Sequence, residues 1–211
     1  MPSSSSIFDN LAGNIIATAA PKTIVDIGAG AGKYGRIIRQ IEKLCQLKIH
    51  ATAVEIDETY IRDYKLHEIY DDIISIDATQ LLRQIPGIKG DMCILGDFIE
   101  HLPKSDGIDL LNYLLYRFSI VITVVPVDMY QGDWMGHAQE AHISLWYVND
   151  FTTFPKVSIV KRYEGETCFL LACMNGACSP SREQFVLLDE RNKVSMGYPY
   201  RALHQIAVTD Q

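Results

Sequence analysis

The chain of 211 residues lacks any hydrophobic run of 18 or more residues, so no segment is long enough to cross a membrane as a helix. Its first ten residues, MPSSSSIFDN, contain no lysine or arginine, which argues against a secretory signal. Only 19 basic residues oppose 26 acidic ones, and a net charge of −7 argues against general nucleic-acid binding. We therefore expect a cytoplasmic protein without membrane or general nucleic-acid partners.

Cysteine is also scarce, and its five copies form no CxxC pair. An odd count without paired spacing argues against a disulfide framework and against a zinc knuckle. If residues 167–175 form a strand, Cys168 and Cys173 point to opposite faces of it. We therefore expect thiols that are buried in the core of a protein from a reducing compartment.

Strand and helix patterns alternate along the chain. Helical spacing is found in the segments 31–47, 58–70, 78–85 and 105–118. Short apolar strands are predicted at 23–27, 48–57, 72–77, 91–97 and 119–126, and a hairpin at 156–163 and 167–175. This alternation predicts an α/β fold with a doubly wound, mostly parallel sheet of seven strands, in which the C-terminal hairpin supplies one antiparallel strand. The predicted organisation is an N-terminal segment (1–20), a ligand-binding domain (21–178) and a C-terminal tail (179–211).

Four glycines crowd the stretch VDIGAGAGKYG, residues 25–35, directly behind the first strand. A Walker phosphate loop does not fit, because Ile27 replaces its first glycine and Tyr34 replaces its hydroxyl residue. A dinucleotide loop fits better, since the spacing G-x-G-x-x-G is present and Glu55 follows at the end of the second strand. The third alternative for the ligand of this loop is S-adenosylmethionine, for which the pattern is D-x-G-x-G-x-G beginning at Asp26. That carboxylate could orient water or receive the ammonium group of the ligand.

Three landmarks follow one another in the order VDIGAGAGKYG, VEID (54–57) and DMCILGDFIEHL (91–102). With them the chain resembles the class I S-adenosylmethionine-dependent methyltransferases over roughly residues 20–175. The resemblance implies that Glu55 takes the ribose hydroxyls, that Ile56 packs on adenine and that Asp97 lies near the methionine end. The complete implied set of cofactor-binding residues is Asp26, Gly28, Ala29, Gly30, Glu55, Ile56, Asp77, Ala78 and Asp97.

A possible metal site lies in the stretch after the fourth strand. Asp97, Glu100 and His101 resemble a sequence with which some methyltransferases hold a divalent ion beside the acceptor oxygen. A later histidine could complete such a site. The same EHL sequence is common in members without an ion, so the sequence favours a metal-free site and leaves the metal undecided.

A second cluster, residues 130–151, follows the fifth strand and contains His137, Glu140 and His142. His142, oriented by Glu140, could act as a general base, and His101 is a further catalytic candidate. Trp134 is a candidate for stacking on a sugar, whereas Trp146 lies in an apolar pattern typical of a buried helix face. The cluster resembles a group of small bacterial methyltransferases that modify glycans or secondary metabolites.

The predicted function is therefore methyl transfer from S-adenosylmethionine, preferably to an oxygen of a small-molecule or carbohydrate-like acceptor. The alternatives are an NAD-linked oxidoreductase and a non-catalytic binding protein with the methyltransferase fold. The short chain argues against the first, and the intact glycine loop with Glu55 argues against the second. The oligomeric state is not indicated by the sequence.

Overall fold

A seven-stranded sheet forms the centre of the part of the chain that this computed structural model describes, residues 5–133, 138–154 and 157–177. Its strands are β1 (Thr23–Ile27), β2 (His50–Glu55), β3 (Asp72–Ser75), β4 (Gly90–Gly96), β5 (Phe118–Pro126), β6 (Val157–Glu164) and β7 (Thr167–Asn175). They lie in the order β3-β2-β1-β4-β5-β7-β6. Strand β7 is antiparallel to both of its neighbours, while β1 to β5 pair in parallel. The predicted sheet and its C-terminal hairpin are confirmed.

Helices flank this sheet, and the longer ones are α1 (Asp9–Ala19), α2 (Lys33–Cys45) and α5 (Lys104–Arg117). Shorter helices are α3 (Glu58–Asp63), α4 (Leu81–Gln84) and α6 (Val148–Phe151). Single 3₁₀ turns cover Ser6–Phe8, Leu66–Glu68, Ala78–Gln80, Ile99–His101 and Ala138–Glu140. Within the described residues, no helix has the length and apolar character that a bilayer-spanning helix needs.

The strands bury side chains on both faces of the sheet. Ile24 of β1 belongs to a core cluster with α1 and α2, whereas the next residue, Val25, belongs to a second cluster with α5 and α6. This alternation is the geometry of a strand covered on both sides. Because α1 contributes Leu11 and Ile16 to the first cluster, part of the predicted segment 1–20 packs into the same core as the ligand-binding domain. The predicted tail, 179–211, lies outside the described residues.

Three local predictions were wrong. Cys45 is exposed at the end of α2 and not buried in the core as expected, because burial on this helix ends well before its last turn. The predicted helix 58–70 breaks after α3, where Lys65 adopts a left-handed conformation with φ 52°. Trp146 is fully buried as expected, but it lies in an extended segment bridged to Val127 rather than in a helix.

Candidate functional site

A cavity of about 360 Å³ opens at the carboxyl ends of the parallel strands. Strand order reverses between β1 and β4, since the chain adds β2 and β3 on one side and β5 on the other. Open α/β sheets bind ligands at such a reversal. The wall of the cavity comes from the loops after β1, β2, β4 and β5, and includes Gly28–Ala31, Glu55–Asp57, Gly96–Phe98, Glu100, His101, Glu140 and His142.

The glycine loop after β1 turns with left-handed backbone angles that favour glycine. The φ angles of Gly28 and Gly30 are 71° and 50°. A Cβ atom on Gly28 would lie 2.2 Å from Cδ2 of Phe98, a distance no side chain tolerates. A Cβ atom on Gly30 would have nothing nearer than 3.9 Å, so the backbone there is open to the cavity. The loop therefore needs glycine at one position for packing and leaves room at another for a ligand.

Glu55, at the end of β2, is joined to this loop by a hydrogen bond. The Gly30 N–H donates to Glu55 Oε2 at 2.7 Å, and the Asp57 N–H donates to Oε1 at 2.9 Å. Burial raises the pKa of the Glu55 carboxyl, and the backbone N–H groups of Asp57, Gly30 and Ile56 partly oppose that change. The next side chain, Ile56, is 57% exposed at the cavity wall. The structure thus brings Gly28, Ala29, Gly30, Glu55 and Ile56 together around one end of the cavity.

Asp26 lies below the loop and does not line the cavity. Its carboxylate is 1% exposed and accepts a hydrogen bond of 2.5 Å from the Tyr70 hydroxyl. Tyr70 in turn accepts from the Gly35 N–H at 2.9 Å. Burial raises the pKa of Asp26 to about 7, although the Tyr70 hydrogen bond opposes the shift. Asp26 therefore fixes the start of α2 from beneath through Tyr70. The sequence had suggested that Asp26 contacts a ligand directly.

Asp77 and Ala78 are also absent from the cavity wall. The Asp77 carboxylate accepts from the Thr79 N–H at 2.8 Å and so caps the short turn that precedes α4. Ala78 is buried in the core cluster of α5. These two residues support the loop after β3 and do not face the cavity in the conformation described.

The opposite end of the cavity holds Asp97 and Glu100. Asp97 has a left-handed backbone, φ 49°, and its N–H donates to the Val124 carbonyl at 2.8 Å. Glu100 is 1% exposed, and within the described residues neither of its carboxylate oxygens has a hydrogen-bond partner. Burial, followed by the nearby charge of Asp97, raises the pKa of Glu100 well above its usual range. A buried carboxyl of this kind is costly unless something in the cavity compensates it.

His101 and His142 face each other across this end, with ring centroids 4.9 Å apart and planes at 75°. His101 Nδ1 lies 3.1 Å from the Ala141 carbonyl oxygen, and His142 Nδ1 lies 3.2 Å from that of Met129. One ligand atom from each ring and one from Glu100 lie within 4.8 Å of one another. Desolvation lowers the pKa of both histidines, so both rings are neutral near pH 7.

Glu140 does not orient His142 by a hydrogen bond as predicted. Its Oε1 accepts from the Tyr60 hydroxyl at 2.7 Å, and its carbonyl accepts from Gln131 Nε2 at 2.8 Å. The predicted pair is replaced because Tyr60, on α3, reaches across the cavity to the loop after β5. His137 and the stacking candidate Trp134 lie outside the described residues.

Sequence analysis missed two tyrosines in the cavity wall, Tyr34 and Tyr60. Tyr34 is 4% exposed, and its hydroxyl has no hydrogen-bond partner among the described residues. A Cβ atom on Gly96 would lie 1.9 Å from the Tyr34 ring, so glycine at the end of β4 is what admits this ring. Tyr34 lies in the last part of the glycine-rich stretch, and this position in the sequence could have indicated that its side chain lines the cavity.

No family model and no curated protein matches the chain, whereas many solved structures do. The N-terminal domain of EvdMO1 with SAH (S-adenosylhomocysteine) bound superposes with a TM-score of 0.61 at 13% identity, covering 82% of each chain. The plantazolicin methyltransferase BpumL in complex with SAH gives a TM-score of 0.56 at 13% identity, covering 80% of this chain and 84% of that one.

An O-methyltransferase family protein from Burkholderia thailandensis gives a TM-score of 0.56 at 9% identity and covers 81% of this chain and 56% of that one. The EvdMO1 domain has also been crystallised in the presence of SAH and D-fucose. Identities this low establish a shared architecture. The chain therefore has the fold of the class I S-adenosylmethionine-dependent methyltransferases.

Proposed function

We propose that the protein transfers a methyl group from S-adenosylmethionine to an oxygen atom of a small, hydroxyl-rich acceptor. The observation that carries this proposal is that one cavity joins the glycine loop and Glu55 at one end to Glu100, His101 and His142 at the other. The first end suits a nucleoside, and the second end suits the removal of a proton from a hydroxyl group. Methyl transfer to oxygen needs both.

The cofactor end suits an adenosyl group. A carboxylate has about four lone-pair sites, and Glu55 uses two of them on the Gly30 and Asp57 N–H groups. The remaining sites can accept from the two ribose hydroxyls, as predicted from the sequence. Ile56 offers an exposed apolar surface for the adenine ring. In this arrangement the methionine part extends past Gly28 toward Asp97 and Tyr34.

The acceptor end is the space between Tyr34 and the two histidines. Catalysis of methyl transfer depends chiefly on holding the acceptor oxygen in line with the methyl–sulfur bond. The second requirement is a group that favours loss of the hydroxyl proton. Glu100, His101 and His142 are the groups that meet this requirement, and Glu140 holds the loop that carries His142.

The charges of the wall favour a neutral acceptor. Asp57, Glu140 and Glu164 line the cavity, and Lys33 is the basic residue beside them. The Lys33 ammonium is engaged by Asp9 at 2.8 Å, which reduces its attraction for an anionic acceptor. An acidic wall repels phosphorylated acceptors and tolerates hydroxyl groups, which donate hydrogen bonds to carboxylates. This supports a carbohydrate-like acceptor.

Turnover with a panel of acceptors tests the proposal. We expect release of SAH from S-adenosylmethionine to be stimulated by neutral monosaccharides or glycosides and to remain at background with their phosphate esters. Mass spectrometry should find an added methyl ether on the acceptor. If neutral sugars and other small hydroxyl compounds leave SAH release at background while a phosphorylated acceptor is methylated, the proposed acceptor class is wrong.

A further inference from the structure

We propose that Glu100, His101 and His142 form a binding site for a divalent first-row transition-metal ion. This inference deepens the proposed function and rests on it, because the ion would lie beside the acceptor oxygen. The three side chains offer two imidazole nitrogens and one carboxylate oxygen, all within 4.8 Å of one another. Each of the three lines the cavity.

The unpartnered carboxylate of Glu100 is the observation that separates this cluster from an ordinary group of polar side chains. It is 1% exposed and faces the cavity, and within the described residues neither oxygen makes a hydrogen bond of ordinary geometry, although the N–H groups of Phe98 and of Glu100 itself lie near enough to lower its pKa. Nearly all buried polar groups are paired in proteins, and an exception calls for an absent partner. A divalent cation would supply that partner and would also offset the burial of the negative charge.

The two histidines are oriented as metal ligands usually are. Each ring presents its Nδ1 to a backbone carbonyl oxygen, that of Ala141 for His101 and that of Met129 for His142. A neutral ring that donates from Nδ1 carries its lone pair on Nε2, where a metal can bind. Such a hydrogen bond to the outer nitrogen fixes both the tautomer and the ring orientation at metal centres.

Backbone contacts hold the segments of the three ligands together without an ion. The Glu100 carbonyl accepts from the N–H groups of Ile143 at 2.9 Å and Ser144 at 3.1 Å. Trp146, fully buried, donates from Nε1 to the Ile99 carbonyl at 3.2 Å and to Ser144 Oγ at 2.9 Å. Residues 99–101 and 142–146 therefore form a preformed frame, which holds the backbone segments that carry the three ligands beside each other.

The donor set indicates the kind of metal. Imidazole suits zinc, iron and nickel, whereas carboxylate oxygen suits manganese and magnesium, so a mixed set favours a borderline ion such as Mn²⁺, Fe²⁺, Co²⁺ or Zn²⁺. Neighbouring ligands on one ion lie about 3 Å apart for bonds of roughly 2.1 Å. The present separations of up to 4.8 Å require the side chains to close in by about 1 Å each.

Three protein ligands leave coordination positions that face the cavity, where an acceptor hydroxyl can bind. A bound ion would lower the pKa of that hydroxyl, so that its proton could leave to water. The acceptor oxygen would then attack the methyl carbon as the carbon–sulfur bond breaks. The products are the methyl ether and neutral SAH. In this arrangement the histidines act as ligands, which replaces the metal-free base favoured by the sequence.

Metal binding can be measured directly, independently of turnover. The full chain is treated with chelator, dialysed, and titrated with Co²⁺ and with Mn²⁺. We expect one ion per chain by elemental analysis, and a visible Co²⁺ absorption band from bound imidazole. Glu100→Gln and His142→Ala should each weaken binding at least tenfold, whereas His67→Ala, an exposed histidine that does not line this cavity, should leave it unchanged.

Circular dichroism and SAH titration on the same samples separate the possible outcomes. A folded chain that binds SAH but takes up no ion overturns the metal site and leaves the proposed function standing. Ion binding that is unchanged in folded Glu100→Gln and His142→Ala also overturns it. Ion binding without SAH binding supports the metal site and contradicts the proposed cofactor.

Discussion

Glu55 Oε2 accepts a hydrogen bond of 2.7 Å from the Gly30 N–H, so the carboxylate at the end of β2 holds the glycine loop in place. The two residues are 25 positions apart in the chain and meet at the wall of the cavity. The same carboxylate is our candidate for the ribose hydroxyls. Glu55 therefore has a structural task in addition to a binding task.

Glu55→Ala should weaken S-adenosylmethionine binding by one to two powers of ten. The loss of charge-assisted hydrogen bonds to the ribose corresponds to roughly 1.5–3 kcal/mol. The substitution would also leave two half-buried N–H donors, those of Gly30 and Asp57, without their acceptor. The free energy of unfolding should therefore fall by about 1–3 kcal/mol as well.

Calorimetry and denaturant unfolding check both parts of this prediction. Glu58→Ala, an exposed glutamate at the start of α3, is the matched control and should change neither quantity. An unchanged affinity in folded Glu55→Ala would move the ribose site elsewhere.

Asp26→Asn should stabilise the protein at alkaline pH. The folded-state pKa of Asp26 is about 7 against an ordinary value of 3.8, so the folded chain holds this proton more tightly than the unfolded chain. The stability from this group is complete below about pH 4 and is lost as the pH rises through 7. Since one pKa unit is about 1.4 kcal/mol, the loss is roughly 4 kcal/mol at most.

The asparagine oxygen can still accept from Tyr70 and carries no charge to bury. We expect the variant to gain in Tm over the parent by several degrees at pH 8 and by less at pH 5. Asp109→Asn, exposed on α5, serves as the control and should shift neither Tm. A difference between parent and Asp26→Asn that does not grow with pH would show that the buried carboxyl is not the titrating group.

Gly28→Ala should lower stability strongly. A Cβ at this position would lie 2.2 Å from the Phe98 ring, and the backbone φ of 71° is unfavourable for alanine by about 1–2 kcal/mol. Displacement of Phe98 would also narrow the cavity, so SAH affinity should fall together with Tm. Gly87→Ala, which has no atom within 4 Å of the new Cβ, should be tolerated. A Gly28→Ala chain with the Tm and SAH affinity of the parent would contradict the loop geometry described here.

Trp146→Phe should loosen the frame that joins the two histidines. The substitution removes the indole N–H, which donates to Ile99 and Ser144, and leaves a void beneath Lys104. We expect a loss of about 1–3 kcal/mol in stability and weaker Co²⁺ binding without any change in the ligands themselves. If stability falls but Co²⁺ affinity stays at the parent value, the frame does not control the separation of the ligands.

The sheet could be predicted from the sequence because its signals are local. Alternating apolar runs, the glycine loop and the apolar positions Leu110, Leu111 and Leu114 of α5 are each contained in a short window, and the structure places them as expected. The position of Glu55 beside the glycine loop could also be predicted locally, because Glu55 is the last residue of strand β2.

Contacts between distant segments could not be read in this way. Tyr60 and Glu140 are 80 residues apart, so nothing local reveals that this tyrosine, and not His142, engages the Glu140 carboxylate. Asp26 was placed in the ligand site because of its motif position. Its carboxylate instead accepts a hydrogen bond from Tyr70, 44 residues away, and this contact depends on the packing of α2 over the sheet.

Titration calorimetry of SAH into the purified chain is the most direct test of the cofactor site. We expect one SAH per chain, no heat with NAD, and binding at least tenfold weaker in Glu55→Ala. Binding of NAD in the absence of SAH binding would contradict the methyltransferase function. SAH binding that is unchanged in Glu55→Ala would contradict the proposed cofactor site.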